Sequence, residues 1–323
     1  MIKILQGNCI DKIKELDDNS IDCVVSSPPY FGLRDYGVDG QFGLEKTYHN
    51  YLANTVKVFE TFKPKLKDTA TIWWNVGDSY HNYRPTNNKQ GMYKKPDYPK
   101  QSIAGNRQDL PKHSLKRNQR YQEIKEKDLM MIPNRVAIAL QDAGWYIRSE
   151  IIWHKPNPMP ESVRDRPTSC HEKIWLITKN KKYYYDHEAI KEPAKDWGTR
   201  NRKKGSAFVD ATPGRSKQTG GKDCNFAEKG RNKRNVWTIT TKPFKDAHFA
   251  TFPKDLIEPC IKAGCPEEGV VLDPFGGSGT TGIVAALNNR NAILIELNQN
   301  YIDIANKRID KEVGLFNENI SSL

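Results

Sequence analysis

Two short loops carry the residues best suited to chemistry. The first is Ser27-Pro28-Pro29-Tyr30, entered from the run Ile21-Asp22-Cys23-Val24-Val25-Ser26. Consecutive prolines fix φ and remove two N–H donors, so the Ser27 hydroxyl and the Pro28 carbonyl stand as acceptors in one geometry beside the Tyr30 ring. The second is Asp273-Pro274-Phe275-Gly276-Gly277-Ser278-Gly279-Thr280, with an acid, Glu296, about twenty residues on. Glycines admit close approach of the backbone to a ligand, and a carboxylate at that separation suits a ribose diol. A plain dinucleotide site is the alternative, although the pattern departs from Gly-x-Gly-x-x-Gly. No Lys-Ser or Lys-Thr follows the glycines, which excludes a phosphate-binding P-loop.

The elements around these loops follow from hydrophobic periodicity. Ile21 to Val25 predicts a buried strand that stops at the prolines and presents its loop at the carboxyl end, where open α/β sheets place their chemistry. Gly269 to Asp273 predicts another strand, Thr281 to Leu287 a helix and Asn291 to Ile295 a further strand, a nucleotide-binding β-α-β unit. Elsewhere strands are expected from Ile2, at Thr69–Val76, Tyr146–Trp153, His171–Lys179 and Tyr183–Tyr185. Helices are expected at Cys9–Leu16, Tyr51–Lys63, Ile132–Ala143 and Lys254–Ala263. The alternation predicts an α/β fold with a doubly wound mixed sheet.

The chain has 323 residues and a formal net charge of +12. The charge is segregated. Residues 191–245 hold 15 Lys and Arg against 5 Asp and Glu, and residues 81–127 hold 12 against 4. Two basic stretches with a mildly acidic remainder make a nucleic-acid footprint. Residues 81–127 are polar, without period, and interleave Tyr83, Tyr93 and Tyr98 with Lys94 and Lys95; they are expected to fold against DNA. The six cysteines and seven histidines show no zinc spacing and no Cys-x-x-Cys, so reduced thiols and no metal are expected. No run reaches membrane-spanning length and no cleavable leader pattern is present, so a cytoplasmic location without membrane contact is expected.

Ser27-Pro28-Pro29-Tyr30 resembles the catalytic motif of the amino-methylating DNA methyltransferases, and Asp273-Pro274-Phe275-Gly276-Gly277-Ser278-Gly279-Thr280 is similar to their S-adenosylmethionine motif. The order, catalytic loop first, basic region in the middle and donor motif last, resembles the β-class of these enzymes. The resemblance implies a Rossmann-like methyltransferase fold whose basic insertions form a DNA-recognition region. It divides the chain into a catalytic half, 1–190, a target-recognition region, 191–247, and a donor-binding half, 248–323. It also implies S-adenosylmethionine as cofactor and double-stranded DNA as partner, and it allows a cognate restriction endonuclease.

Site residues follow from the same resemblance. Ser27, Pro28, Pro29 and Tyr30 are implied to be catalytic, with Tyr30 lying against a base swung out of the duplex. An exocyclic amine is a poor nucleophile because its lone pair is delocalised into the ring, so acceptors on its hydrogens are what the chemistry requires. For the donor the resemblance names Asn8, where relatives carry an acid that touches adenine, then Asp273 for the methionyl ammonium, Phe275, Gly276, Gly277, Gly279, Thr280 and Glu296. The strand bearing Trp74 and Asn75 is implied to line the donor pocket. Trp153, Lys155, Pro160, His171 and Glu172 match a loop and strand start that pack against the flipped nucleotide. DNA-binding candidates are Lys155, Arg200, Arg202, Lys203, Lys204, Arg231, Lys233 and Arg234. Phe31 to Gly37 is expected to be a mobile loop that closes over a base.

Ser27 stands where adenine-specific relatives carry Asp or Asn, which favours cytosine N4 over adenine N6 as the target. Carbon-5 methylation needs a Cys nucleophile beside Pro, and the only pair in the order Pro-Cys, Pro259-Cys260, falls within a predicted helix.

Overall fold

The computed structural model describes residues 1–81, 123–193, 230–241 and 252–317. In chain order it contains β1 (Ile2–Gln6), α1 (Cys9–Lys14), β2 (Ile21–Ser26), α2 (Tyr48–Phe62), β3 (Leu66–Val76), α3 (Ile132–Asp142), β4 (Tyr146–His154), β5 (His171–Thr178), β6 (Val236–Thr238), α4 (Lys254–Gly264), β7 (Val270–Asp273), α5 (Thr280–Leu287), β8 (Asn291–Glu296) and α6 (Gln299–Asn317). The strands form one sheet in the order β1-β8-β7-β2-β3-β5-β4-β6. β5 is antiparallel to both its neighbours, and every other pairing is parallel.

β2 is buried at all six positions. Val24 joins the core beneath α1, α2 and α3, whereas Cys23 and Val25 join the core beneath α4 and α5. Alternation along β3 does the same, with Ile72 and Trp74 on one side and Trp73 on the other. A parallel strand covered on both faces needs apolar residues on both, which is why β2 reads as a continuous run. The doubly wound mixed sheet expected from the sequence is therefore present.

The order in which successive strands are added reverses between the parallel strands β7 and β2. From β2 the chain moves through α2 to β3 on one side, and from β7 through α5 to β8 on the other. Their carboxyl ends flank the switch point, the place where open sheets bind ligands. Because β5 runs opposite, its first residues, His171 and Glu172, arrive at the same rim as the last residues of β4. Asp78, just beyond β3, completes the start of α3: Met131 at the N-cap sits at φ 56° and makes no side-chain cap, and Asp78 Oδ1 accepts from Ile132 N at 3.1 Å.

Several expectations are corrected. Tyr183–Tyr185 forms no strand; Tyr184 N donates to Thr69 O at 2.9 Å, and the Tyr185 ring stacks on Trp73. β6, within the expected recognition region, extends the sheet edge beside β4, and α6 closes the described chain; neither was anticipated. β1 pairs with β8, so the first strand belongs to the donor side of the sheet. The segments 82–122 and 194–229 lie outside the described residues, but their necks do not. Beside the Tyr80–Leu129 bridge His81 N donates to Asp128 O and His81 O accepts from Lys127 N, and Glu192 and Arg231 donate to each other's carbonyls, all at 2.8 Å.

Candidate functional site

The two loops meet. Ser26, the last residue of β2, donates from Oγ to Asp273 Oδ1 at 2.6 Å, tying the Pro-Pro turn to the glycine turn across the switch point. Asp273 is 1% exposed. Its Oδ1 also accepts from Phe275 N at 3.0 Å, and its Oδ2 accepts from Thr281 Oγ1 at 2.6 Å. Burial outweighs these bonds and raises the carboxyl to about 6. The residue expected to meet a ligand ammonium thus uses its oxygens internally, holding both ends of the turn.

Glu296, at the end of β8, works similarly. Its Oε2 accepts from Gly277 N and its Oε1 from Asn298 N, each at 2.8 Å. Burial raises this carboxyl too. Gly277 and Gly279 adopt φ of 49° and 80°, a region that strains side-chain-bearing residues. A Cβ on Gly276 would lie 2.9 Å from Leu294 Cβ, and one on Gly279 3.0 Å from Ala305 Cβ, whereas one on Gly277 would meet nothing nearer than 3.8 Å. The turn is therefore packed from behind and open at Gly277. Asn8 follows β1 and caps α1, its Oδ1 accepting from Ile10 N at 2.9 Å.

Sequence reasoning missed Arg308, on α6. Its Nη1 donates to Ser278 O at 2.6 Å, Ser278 Oγ at 2.8 Å and Thr280 Oγ1 at 2.9 Å, fixing the outer side of the turn. No local pattern marks it; only the packing of α6 brings it there. The loop after Tyr30 and the residues that follow it have aromatic partners. Phe42 packs on Phe275, centroids 5.3 Å apart, and Tyr36 meets Tyr301 of α6 edge-on at 6.2 Å. The loop lies against the donor motif.

On the other side of the switch point a polar chain runs inward. Ser27 Oγ donates to Tyr30 OH at 3.2 Å, and Tyr30 OH donates to Glu172 Oε2 at 2.7 Å. Asn75 Nδ2 donates to Tyr30 OH at 2.9 Å and to Glu172 Oε2 at 3.1 Å, and lies 3.4 Å from Ser27 Oγ. Glu172 Oε1 pairs with Lys155 Nζ, which also sits 4.2 Å from the centroid of the Trp153 ring. Burial, then the Glu172 charge, holds the Tyr30 phenol well above the ordinary tyrosine range. The Tyr30 ring lies over Gly77, where a Cβ would come 2.5 Å from Tyr30 Cε2. Trp74 is fully buried among Phe59, Phe62 and Phe275, inside the core rather than on a pocket wall.

Of the DNA-binding candidates, Lys155 is engaged with Glu172. Arg231 and Arg234 share Glu192, at 3.3 and 3.2 Å, and Lys233 Nζ stands 5.0 Å from the Trp237 centroid. Arg200, Arg202, Lys203 and Lys204 lie outside the described residues. Cys260 is 1% exposed in α4, and burial drives its thiol upward, so it offers no nucleophile to the rim. Among the described residues no cluster able to hold a metal occurs, and no helix is long and apolar enough to cross a membrane.

An open, mostly parallel sheet with an acceptor-bearing Pro-Pro turn bonded to a glycine turn at its switch point has the architecture of a methyltransferase. The chain belongs to the N6/N4 DNA methylase family, whose model matches residues 21–307. It is 42% identical over 311 residues to the type II methyltransferase M.Cfr9I of Citrobacter freundii, spanning 96% of this chain and 88% of that one. Identity to the type II methyltransferase M.SmaI of Serratia marcescens is 42% over 307 residues, 95% of this chain and 90% of that one. In fold it is similar to PvuII DNA methyltransferase (cytosine-N4-specific), with TM-score 0.61, 17% identity and coverage of 95% and 86%. It is also similar to the DNA modification methylase TTHA0409 of Thermus thermophilus complexed with S-adenosyl-L-methionine, with TM-score 0.56, 20% identity and coverage of 97% and 96%.

Proposed function

We propose that this DNA methyltransferase transfers a methyl group from S-adenosylmethionine to the exocyclic N4 of a cytosine extruded from duplex DNA. The observation that carries the reading is the Ser26–Asp273 bond, which sets the Ser27 acceptor beside the glycine turn. Ser27, where adenine-specific relatives carry Asp or Asn, supports cytosine, and the PvuII enzyme of similar fold is named for the same specificity.

The donor-side residues suit the cofactor. Gly277 opens the turn, Phe275 is half-buried beside it, and Glu296 stands at the end of the next strand, where a ribose diol is bound in nucleotide sites. The donor supplies an electrophilic methyl on a sulfonium. The chain's own task is to hold the amine in line and to accept its hydrogens through Ser27 Oγ and the Pro28 carbonyl, so that charge developing on nitrogen is stabilised without a covalent enzyme intermediate. Lys155, Arg231, Lys233 and Arg234, with the basic segments outside the described residues, are the proposed duplex contacts, and a restriction endonuclease of matching specificity is the proposed biological counterpart.

Incubation of the protein with duplex DNA and S-adenosylmethionine, digestion to nucleosides and mass analysis tests the reading. N4-methylcytosine is expected. N6-methyladenine would overturn the target assignment, and unmodified DNA the activity.

A further inference from the structure

The polar chain beneath Ser27 has a direction, and its chemistry dictates that direction. Glu172 Oε2 is an acceptor, so the Tyr30 O–H points to it at 2.7 Å. The Tyr30 oxygen must then receive, and it receives from Asn75 Nδ2 and from the Ser27 hydroxyl. The Asn75 amide cannot be turned round, since its oxygen would then face the Glu172 carboxylate at 3.1 Å. Its Oδ1 is left buried and without a partner among the described residues, a cost that the nitrogen side offsets. The Ser27 proton is consequently directed inward; Asn75 Nδ2 makes a long 3.4 Å contact to one side of its oxygen, and the other lone pair remains for a hydrogen brought by the substrate.

We infer that Glu172 is a positioning residue for methyl transfer and the terminal acceptor of the proton that the amine must lose. As the carbon–sulfur bond of the donor breaks and the nitrogen–carbon bond forms, the amine nitrogen becomes cationic, and the Glu172 charge, relayed through Tyr30, makes Ser27 Oγ a stronger acceptor for its hydrogen. One proton then passes from nitrogen to Ser27 Oγ, the Ser27 proton to Tyr30 oxygen, and the Tyr30 proton to Glu172 Oε2. The products are the neutral methylated amine, the neutral thioether and a protonated Glu172, with Ser27 and Tyr30 restored. Lys155, paired to Oε1, holds the carboxylate in place. The raised Tyr30 phenol is consistent with a proton that moves through without resting as tyrosinate. Nothing in the Pro-Pro-Tyr motif alone identifies Glu172, which lies 142 residues away from Tyr30.

The inference rests on the methyl-transfer reading above, and the wild-type assay separates the two, because product formed by the wild type supports that reading whatever the variants do. Glu172→Gln keeps an acceptor for Tyr30 but cannot hold the proton; Tyr30→Phe keeps the ring over Gly77 and removes the hydroxyl. Single-turnover rates are measured at saturating donor and DNA, with donor affinity and thermal melting recorded for each variant. Each variant is expected to lose about 10- to 100-fold in rate with donor affinity unchanged, and the double variant to lose no more than the worse single one. The Glu172→Gln rate should also rise from about pH 7 to 9, where the wild-type rate is level, because hydroxide replaces the missing acceptor. A Glu172→Gln rate within about twofold of wild type, a loss with a level pH profile, or multiplicative losses in the double variant would each overturn the inference. If Glu172→Gln does not fold, Tyr30→Phe decides: an undiminished rate sinks the relay.

Discussion

The two sides of the switch point use carboxylates in opposite ways. On the donor side, Asp273 and Glu296 take hydrogen bonds from Ser26, Thr281 and the amides of Phe275, Gly277 and Asn298, and so shape the turn. On the acceptor side, Glu172 takes bonds, among the described residues, from the side chains of Tyr30, Asn75 and Lys155, and the first two lead to Ser27. Acids that gather the bonds of a turn specify form, whereas an acid at the end of a directed hydroxyl chain specifies where a proton goes. A binding surface has to be pre-built, and a reacting group has to be biased.

That contrast can be broken at four places. The largest expected effect is thermodynamic. Asp273 holds its proton in the folded state up to about pH 6, against 3.8 ordinarily. Between these values the folded protein binds more protons than the unfolded chain, so stability falls as pH rises from about 4 to 6 and stays lower above, by about 3 kcal/mol. Denaturant unfolding of wild type against Asp273→Asn across that window isolates the effect; identical pH profiles would show that the donor-side acid is not strained by burial.

Next comes Gly77→Ala, which places a methyl against the Tyr30 ring and should lower the single-turnover rate about 100-fold while donor affinity holds, since roughly 1 Å of misplacement suffices. Ser27→Ala should lower it about 10- to 100-fold, the loss of one acceptor worth about 1–3 kcal/mol. An unchanged rate would refute its role. The smallest effect belongs to the donor side: Thr281→Val removes a hydroxyl bonded to a buried carboxylate and should cost about 1.5–2 kcal/mol of stability by denaturant midpoint, with turnover of the folded fraction preserved.

Much of this was legible in the sequence. The Pro-Pro turn and the glycine turn are local signals, and β2 and β7 are apolar runs ended by residues that forbid continuation, so both loops and their place on the rim could be foreseen. What could not be foreseen is assembled over long separations. Arg308 reaches the glycine turn only because α6 packs beside α5, and Gly77 matters only because a ring 47 positions earlier in numbering lies on it. Asp273 is matched to a ligand ammonium on motif grounds, and local sequence does not display that it also accepts from Ser26, Phe275 and Thr281. The glycines after Tyr30 suggest a mobile loop, and the ring contacts of Tyr36 with Tyr301 and of Phe42 with Phe275 are again long-range and absent from any local pattern.

The paired necks at His81–Asp128 and Glu192–Arg231 have a corollary. Each joins the described ends of a long stretch of chain with backbone bonds of its own. Doubling such a stretch adds only about 0.6 kcal/mol of closure entropy. On the proposed reading of these stretches as duplex contacts, a change in their length would leave the paired ends, and the transfer site between them, in register.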